Sequence, residues 1–207
     1  MIGVKICGLN DAAGFDAAVA AGADWVGFVF FPASPRAVTP AQAAALSARH
    51  AGGPKRVGLF VDPLDADIEA ALAALPLDVL QLYVPPARAA ELRGRFGRDV
   101  WRAVGVTTAA GLPQGGEGVD GYVVEPKPPP GATRPGGNAV SLDWPLLSGW
   151  RAPHPWLLAG GLTPDNVAGA IRASGAAAVD VSSGVERAKG VKDPAMIAAF
   201  VAAARAA

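Results

Sequence analysis

Apolar and polar positions along the chain alternate in a regular way, with short apolar runs separated by longer Ala-rich stretches of helical spacing. The apolar runs contain few polar residues, which is typical of parallel strands buried on both faces. Each run therefore predicts a strand, and most of the stretches between them predict a helix on the outside of the sheet. The predicted strands are residues 4–7, 25–30, 56–61, 78–82, 100–106, 121–125, 155–161 and 177–183.

The helical stretches begin with residues that favour a helix N-terminus. Asp11, Thr39, Thr163 and Asp193 are the predicted caps, and a proline directly follows the last three. Residues 107–119, after the fifth strand, hold too many glycines for a long helix, so a loop or a single turn is predicted there. The predicted helices are residues 11–22, 39–50, 64–75, 86–96, 163–174 and 193–206.

This alternation predicts a single (β/α)8 TIM barrel over residues 1–207, with a short or missing fifth helix. A doubly wound open sheet is the alternative fold. That fold more often carries a GxGxxG turn after its first strand, and the stretch CGLNDAAG, residues 7–14, does not match it. In a barrel, the chemistry takes place at the C-terminal ends of the strands, and this rule selects the candidate residues.

Composition and charge exclude several classes of protein. Lys plus Arg and Asp plus Glu each number 18, so there is no basic excess that would indicate a nucleic-acid partner. No apolar run reaches the ~18 residues that a membrane helix needs, and the N-terminus does not resemble a secretory signal. The single cysteine excludes an internal disulfide and a Cys-based metal cage. We therefore expect a cytoplasmic protein with no membrane partner.

The one cysteine, Cys7, ends the first predicted strand and precedes Gly8. Most lone cysteines are small buried apolar residues. At the mouth of a barrel, a thiolate can instead act as a general base or nucleophile. Both histidines, His50 and His154, are predicted at the opposite end of the barrel. Proton transfer would therefore have to use thiol, carboxyl or amine groups.

Charged residues near three other strand ends are further candidates. Arg36 follows the second strand, and it is either a solvated loop charge or a bidentate clamp on a substrate carboxylate. Glu125 and Asp180 lie at or near the ends of the sixth and eighth strands. Their carboxylates are flanked by apolar strand residues, so they are either hydrogen-bonded structural groups or functional ones.

Two Gly- and Ser-rich turns, after the seventh and eighth strands, predict a phosphate site. Backbone amides in such turns can approach an anion closely, and barrels commonly bind phosphate at these two positions. The alternative is a pair of tight turns with no ligand. From the residues alone we predict a barrel enzyme that acts on a small phosphorylated compound by acid–base chemistry, without metal or histidine. The turn residues are Gly160, Gly161, Ser182, Ser183 and Gly184.

Seven motifs follow one another along the chain: KICGL, GADWVGFVFFPASPR, VGLFV, LQL, LDW, LAGGLTPDNV and VDVSSGVERAKGVKD. Together they resemble the phosphoribosylanthranilate isomerase family of tryptophan biosynthesis, from the first strand to the last helix. The resemblance implies an Amadori rearrangement of N-(5′-phosphoribosyl)anthranilate to 1-(o-carboxyphenylamino)-1-deoxyribulose 5-phosphate. It implies no cofactor and no metal. As to assembly, we expect a monomer or a homodimer.

The resemblance also implies roles for individual residues. Cys7 would be the general base that removes the C2′ proton, and Glu125 the general acid that protonates the furanose ring oxygen. Arg36 would hold the anthranilate carboxylate, on the side of the ring of strands away from the phosphate turns, and Asp180 would lie near the anthranilate amino group. The remaining substrate-binding residues that it implies are Gln81, Asn138, Gly160, Gly161, Ser182, Ser183 and Gly184.

Three stretches depart from the family's pattern. Glu125 stands where the family has aspartate, Tyr83 and Val84 replace the HG of QLHG, and Asn138 and Ala139 replace the TG of GGTG. All three lie near the expected substrate. They keep two alternatives open: a related barrel enzyme acting on another phosphorylated sugar, and a barrel that binds a phosphorylated ligand without turnover.

Overall fold

The computed structural model describes residues 1–128, 131 and 142–207, and its centre is a closed barrel of eight parallel strands in sequence order. The first strand pairs with the second and with the eighth, which closes the barrel and rules out the open doubly wound sheet. The predicted TIM barrel is therefore confirmed. The strands are β1 (Gly3–Cys7), β2 (Trp25–Val29), β3 (Lys55–Val61), β4 (Val79–Tyr83), β5 (Asp99–Val106), β6 (Gly121–Pro126), β7 (Trp156–Leu158) and β8 (Ala178–Val181).

Among the described residues, six α-helices surround the barrel: α1 (Ala12–Ala20), α2 (Pro40–Ser47), α3 (Asp65–Ala74), α4 (Pro86–Phe96), α5 (Val167–Ser174) and α6 (Pro194–Arg205). After β5 there is only a 3-10 turn, Ala109–Gly111, as the glycines of that stretch predict. A second 3-10 turn, Trp144–Leu147, lies in the connection between β6 and β7, and a third, Ser183–Val185, follows β8. A two-stranded hairpin, β9 (Glu186–Ala188) and β10 (Val191–Lys192), comes next. None of the described helices is long and apolar enough to cross a membrane.

Most of the predicted helix caps are confirmed, and one is wrong. Asp11, Thr39 and Asp193 each accept a hydrogen bond from a backbone amide of the first helical turn. Thr163 does not cap α5, because the chain first makes a turn in which the Asn166 side chain accepts from the Thr163 amide at 2.8 Å. The helix then begins at Val167, one turn later than predicted.

Strands β7 and β8 end earlier than predicted, and the reason is local. Gly160 and Gly161 both have positive φ, 86° and 66°, a conformation that cannot continue a strand. Ser182 has φ −127° and ψ −81°, so it too leaves the extended region. The two predicted phosphate turns therefore begin immediately beyond the strand ends, at the mouth of the barrel.

The barrel interior changes character along the strand direction. The layer nearest the N-terminal ends is apolar, and within it Trp25 packs edge-on against Trp101 with ring centroids 5.4 Å apart. Beyond it, towards the C-terminal ends, lie Lys5, Gln81 and Asp180, all buried and polar. The buried residues of the apolar layer are Val57, Val79, Trp101, Val123, Leu157, Ala159 and Ala178.

Candidate active site

One pocket opens at the C-terminal ends of the strands, where the barrel rule places the chemistry. Every predicted site residue in the described part of the chain lines it: Cys7, Arg36, Gln81, Glu125, Gly160, Gly161, Asp180, Ser182, Ser183 and Gly184. Asn138 lies outside the described residues, as does Ala139. The two histidines do not line the pocket, in agreement with their predicted place. His50 contacts Asp16 instead, with Nε2 at 3.1 Å from Oδ1.

Cys7 is buried at the end of β1, in a space that its neighbours leave for the sulfur. Gly27 pairs with Cys7 across β1 and β2, and a Cβ at this glycine would lie 2.9 Å from Sγ. A larger residue there would displace the thiol. The side chain of Tyr83 packs against the same small cluster, which contains Cys7, Val29 and Leu59.

Lys5 is a site residue that the sequence analysis missed. It is fully buried one inward position below Cys7, and its Nζ lies 2.9 Å from Oδ1 of Asp180. Strand periodicity was the available signal, because residues two apart on a strand face the same side. A lysine in an otherwise apolar strand, two residues before Cys7, therefore had to enter the barrel.

The pKa values of this cluster reflect burial and opposite charge. Burial raises the pKa of the Cys7 thiol, and the Lys5 ammonium opposes that rise without cancelling it. For Lys5, burial favours the neutral amine, but Asp180 and Cys7 outweigh it and the pKa is raised. Lys5 is thus a fixed positive charge beneath a thiol that is mostly protonated near neutral pH.

Glu125, at the C-terminal end of β6, is 6% exposed. Burial raises the pKa of its carboxyl to about 8, the neighbouring Tyr83 phenol pulls it down, and Asp180 pushes it up. Burial and the neighbouring Glu125 raise the pKa of the Tyr83 phenol well above its usual range. Near neutral pH, Glu125 therefore holds a proton that it can give to a ligand.

Arg36 is 4% exposed, so the solvated loop charge is ruled out. Its Nε and Nη2 atoms form a bidentate pair with Glu186, at 2.5 and 2.9 Å, which leaves Nη1 for a ligand. The same carboxylate accepts from Lys192 Nζ and from the Gly190 amide, both at 3.0 Å. Against burial, these partners hold the pKa of Glu186 down at about 2. The hairpin β9–β10 thus fixes the orientation of Arg36.

The predicted separation of Arg36 from the phosphate turns is wrong. A Cβ at Gly8 would lie 2.5 Å from Arg36 Cδ and 3.1 Å from Ser182 Oγ, so both side chains lie beside this one glycine. The loop after β2 folds across the end of β1 and brings Arg36 to the β8 side of the mouth. Sequence order could not indicate this, because the direction of a loop is decided by the hairpin on which it packs.

The two turns after β7 and β8 lie against each other. A Cβ at Gly184 would lie 1.7 Å from the carbonyl oxygen of Leu162, so only glycine permits this approach. Within the described residues, the amides of Gly160 and Gly161 donate to no backbone carbonyl. Such amides, beside the short turn after β8, are suited to an anion.

Gln81 lies 1% exposed in the wall of the pocket, and its Oε1 has no hydrogen-bond partner among the described residues. A buried acceptor without a donor destabilises the folded protein, so a donor on a bound ligand would be favourable here. The described residues contain no group of three His, Cys, Asp or Glu side chains placed to hold a metal ion.

The fold and the pocket together define a class. The molecule is a (β/α)8 barrel whose mouth contains a thiol and a protonated carboxyl for acid–base chemistry, beside a buried arginine and two turns suited to anions.

A family model described as N-(5'phosphoribosyl)anthranilate (PRA) isomerase matches residues 4–203. The chain belongs to this family. The N-(5'-phosphoribosyl)anthranilate isomerase of Acidiphilium cryptum is 60% identical to it over 207 residues, which cover 100% of both chains. That of Granulibacter bethesdensis is 54% identical over 203 residues, covering 98% of this chain and 97% of its own.

Solved structures of the family show the same barrel. The phosphoribosyl anthranilate isomerase of Thermotoga maritima superposes with a TM-score of 0.84 at 32% identity, covering 100% of both chains. A further isomerase structure, in complex with reduced 1-(o-carboxyphenylamino)-1-deoxyribulose 5-phosphate, has a TM-score of 0.83 at 30% identity, again over 100% of both chains.

Proposed function

We propose that this chain catalyses the Amadori rearrangement of N-(5′-phosphoribosyl)anthranilate, with Glu125 as general acid and Cys7 as general base. The observation that carries the proposal is that both side chains line one pocket, beside Arg36 and the two glycine turns. The thiol and the carboxyl supply the two proton transfers that the reaction needs. Arg36 and the turns supply a site for each of the substrate's two anionic groups.

Glu125 acts first, on the furanose ring oxygen. With a pKa of about 8, its carboxyl is protonated near neutral pH, which is the form a general acid requires. Its proton passes to the ring oxygen as the C1′–O bond breaks, and the nitrogen lone pair forms the Schiff base. The resulting cation is stabilised by carboxylates in the same pocket, Asp180 among them.

Cys7 acts second, as a thiolate that removes the C2′ proton to give the enolamine. Since burial raises the pKa of this thiol, the reactive thiolate is a minor species near neutral pH. In the active form Cys7 is a thiolate and Glu125 is protonated, so the two groups together hold one proton instead of two. We therefore expect kcat/KM to rise with pH as the first of these protons is lost, up to about pH 8, the pKa of Glu125. The Lys5 ammonium lowers the pKa of the thiol against the effect of burial, and so increases the fraction of Cys7 that is thiolate.

The anionic ends of the substrate have matching sites. Arg36 offers Nη1 to the anthranilate carboxylate, because Glu186 occupies its other two nitrogens. The amides at Gly160, Gly161, Ser182, Ser183 and Gly184 receive the phosphate. Asp180 keeps Oδ2 for the anthranilate amino group, since Oδ1 contacts Lys5. Gln81 and Asn138 complete the proposed contacts.

Turnover of freshly generated phosphoribosylanthranilate, followed as loss of its fluorescence, tests the proposal. We expect wild type to be active, and Cys7→Ser and Glu125→Ala each to lose at least ~100-fold in kcat, the size of a lost acid or base. Arg49→Ala, which breaks an exposed contact to Asp16 away from the pocket, is the control and should keep full activity. A Glu125→Ala variant as fast as wild type would place the acid elsewhere.

The second candidate function is that of a related barrel enzyme acting on a different phosphorylated sugar, because Tyr83 and Val84 depart from the family's pattern. Wild-type protein that does not turn over phosphoribosylanthranilate, yet binds another sugar phosphate tightly, would favour this second function. Binding with no turnover of either would favour a non-catalytic barrel.

For assembly we propose a monomer or homodimer. A relative from Thermotoga maritima, 31% identical with a TM-score of 0.82 over 100% of both chains, is described as a dimeric enzyme from which monomers were generated. The proposed location is the cytoplasm. Light scattering on the purified protein would decide between the two assemblies.

A further inference from the structure

The hairpin β9–β10 contacts three of the loops at the mouth of the barrel. A Cβ at Gly190, in the turn of the hairpin, would lie 2.6 Å from the carbonyl oxygen of Pro35, so this turn packs on the loop after β2. The Gly190 carbonyl accepts from Asn10 Nδ2 at 3.1 Å, in the loop after β1. Lys192 Nζ donates to the Ser182 carbonyl at 2.8 Å, in the turn after β8. The hairpin is thus a shared support for these three loops.

Lys192 connects the arginine clamp with the turn after β8. It is 2% exposed and does not line the pocket. Its stem packs on α1, where a Cβ at Gly14 would lie 2.9 Å from Lys192 Cβ. Its Nζ lies 3.0 Å from Oε1 of Glu186, the carboxylate that holds Arg36, and 2.8 and 3.4 Å from the carbonyl oxygen and Oγ of Ser182. An ammonium has three donors, so these contacts leave none for a ligand.

The contact with the Ser182 carbonyl also affects the direction of the next amide. A trans peptide group is planar, so its carbonyl oxygen and its N–H point in opposite directions. Ser182 has φ −127° and ψ −81°, which belong to neither a helix nor a strand. With this carbonyl on Lys192, the Ser183 N–H points away from Lys192, and Ser183 lines the pocket. Lys192 therefore helps to orient an amide that the proposed function assigns to the phosphate.

The same cluster carries an excess of positive charge. Arg36, Glu186 and Lys192 contribute two cations and one carboxylate, and their side chains are at most 5% exposed. Water screens buried charges much less than exposed ones. Without Lys192, Arg36 and Glu186 would form a neutral pair, so the lysine supplies the charge that favours anions in the adjacent pocket.

We propose that Lys192 is a positioning residue for both anionic groups of the substrate. Through Ser182 it orients the Ser183 amide for the phosphate. Through Glu186 it holds Arg36 for the anthranilate carboxylate. The inference rests on the proposed function. The two ends of one ligand are thus held in register by a single buried ammonium that touches neither of them.

The first test uses inorganic phosphate as the probe and does not depend on turnover. In protein labelled with nitrogen-15 serine, the Ser183 amide signal, assigned by its loss in Ser183→Ala, is followed as phosphate is added. Lys192→Met keeps an unbranched side chain without charge, and we expect it to need ~10-fold more phosphate for half-saturation, the size of a lost hydrogen bond to a charged group. An unchanged half-saturation would overturn the inference, as would a wild-type Ser183 amide that does not respond to phosphate.

Two further variants separate charge and hydrogen bonding from stability. Arg102→Met is the matched control, because it removes the cation of another largely buried ion pair, with Glu117 at 2.7 Å, outside the pocket. It should leave the half-saturation unchanged even where it lowers stability. Lys192→Gln keeps an N–H for the Ser182 carbonyl, and should need ~3-fold more phosphate, since a neutral hydrogen bond is about half as strong as a charged one. If Lys192→Met does not fold, this variant decides, and an unchanged half-saturation in it overturns the inference.

A double-mutant cycle tests the path through Glu186. The probe is reduced 1-(o-carboxyphenylamino)-1-deoxyribulose 5-phosphate, which carries both anionic groups, and its Kd is measured by calorimetry. In a Glu186→Gln background, Lys192→Met should weaken binding by a smaller factor than in wild type, because the path to Arg36 is already broken. Equal factors in the two backgrounds would mean that Lys192 does not act on Arg36 through Glu186.

Turnover separates this inference from the proposed function. In Lys192→Met we expect KM for phosphoribosylanthranilate to rise ~10-fold, with a smaller change in kcat, because Cys7 and Glu125 remain in place. Normal turnover by wild type, with KM and phosphate affinity unchanged in Lys192→Met, would overturn the inference and leave the proposed function standing. Weaker phosphate binding by Lys192→Met, in a protein that does not turn over phosphoribosylanthranilate, would support the inference and count against the proposed function alone.

Discussion

The two ends of the barrel interior are built from the same eight strands, yet they follow opposite rules. At the N-terminal end the inward residues form an apolar layer that includes Trp101 and Val123. At the C-terminal end the inward residues include Cys7, Glu125 and Asp180, which are also buried. Burial at the first end stabilises the fold, whereas at the second it changes protonation. The comparison teaches that one architecture can use exclusion of water for packing and, two residues further along a strand, for chemistry.

The largest effect is expected from breaking the apolar end. Trp101→Ala removes a ring that is 9% exposed and packs edge-on against Trp25, so it should destabilise the protein by ~3–5 kcal/mol at any pH. Urea unfolding measures this. Leu64→Ala is the control, since Leu64 is 72% exposed and should change stability by less than ~0.5 kcal/mol. Equal losses in the two variants would contradict the structural role of the apolar layer.

At the polar end we expect a smaller effect on stability, and a gain instead of a loss when the buried group is replaced. The pKa of Glu125 is about 8 in the folded protein and 4.5 as its ordinary value, so the folded state binds the proton more tightly. The stability that Glu125 contributes is therefore complete below pH ~4.5 and is lost as pH rises towards ~8. By pH 7 the loss is about 3 kcal/mol.

Glu125→Gln removes this dependence, since an amide does not titrate. Relative to that of wild type, the free energy of unfolding of the variant should increase steadily between pH 5 and pH 8. The variant also lacks the proposed catalytic acid. Parallel unfolding curves for the two proteins at both pH values would show that burial does not raise the pKa of Glu125.

The smallest effect on stability is expected at Gln81, at the boundary between the two ends. Gln81 is buried with an acceptor that lacks a partner among the described residues. Gln81→Met keeps the length of the side chain and removes the unpaired oxygen, so we expect a gain of about 1 kcal/mol in the free energy of unfolding. If Gln81 contacts substrate as proposed, KM should rise at the same time. A destabilised variant would indicate that the oxygen already has a partner.

Much of this arrangement was predictable from the sequence. The eight apolar runs predicted the strands, and the glycines of residues 107–119 predicted the missing fifth helix. The barrel rule then placed Cys7, Glu125 and Asp180 at one end, where the structure finds them around one pocket. Its place after the second strand made Arg36 a candidate, and the family resemblance added Gln81; both line the pocket as well. These predictions succeeded because strand periodicity and strand direction are local properties, and a closed barrel converts them directly into position.

Other features depended on contacts between segments far apart in the chain. Arg36 was expected away from the phosphate turns, yet it is held by Glu186, 150 residues later. Lys5 pairs with Asp180 across the β1–β8 seam, which exists only once the barrel has closed. Thr163 was predicted to cap a helix, but its backbone amide instead donates to the side chain of Asn166.

By itself, the sequence determined the class of fold, the end of the barrel that carries the chemistry and the residue types present there. Only the tertiary structure decided their protonation and their partners. The raised pKa of Glu125 could not be predicted, because it depends on exclusion of water from the folded pocket. The physical reason is range: periodicity acts within one strand, whereas desolvation and ion pairing act between strands that only folding brings together.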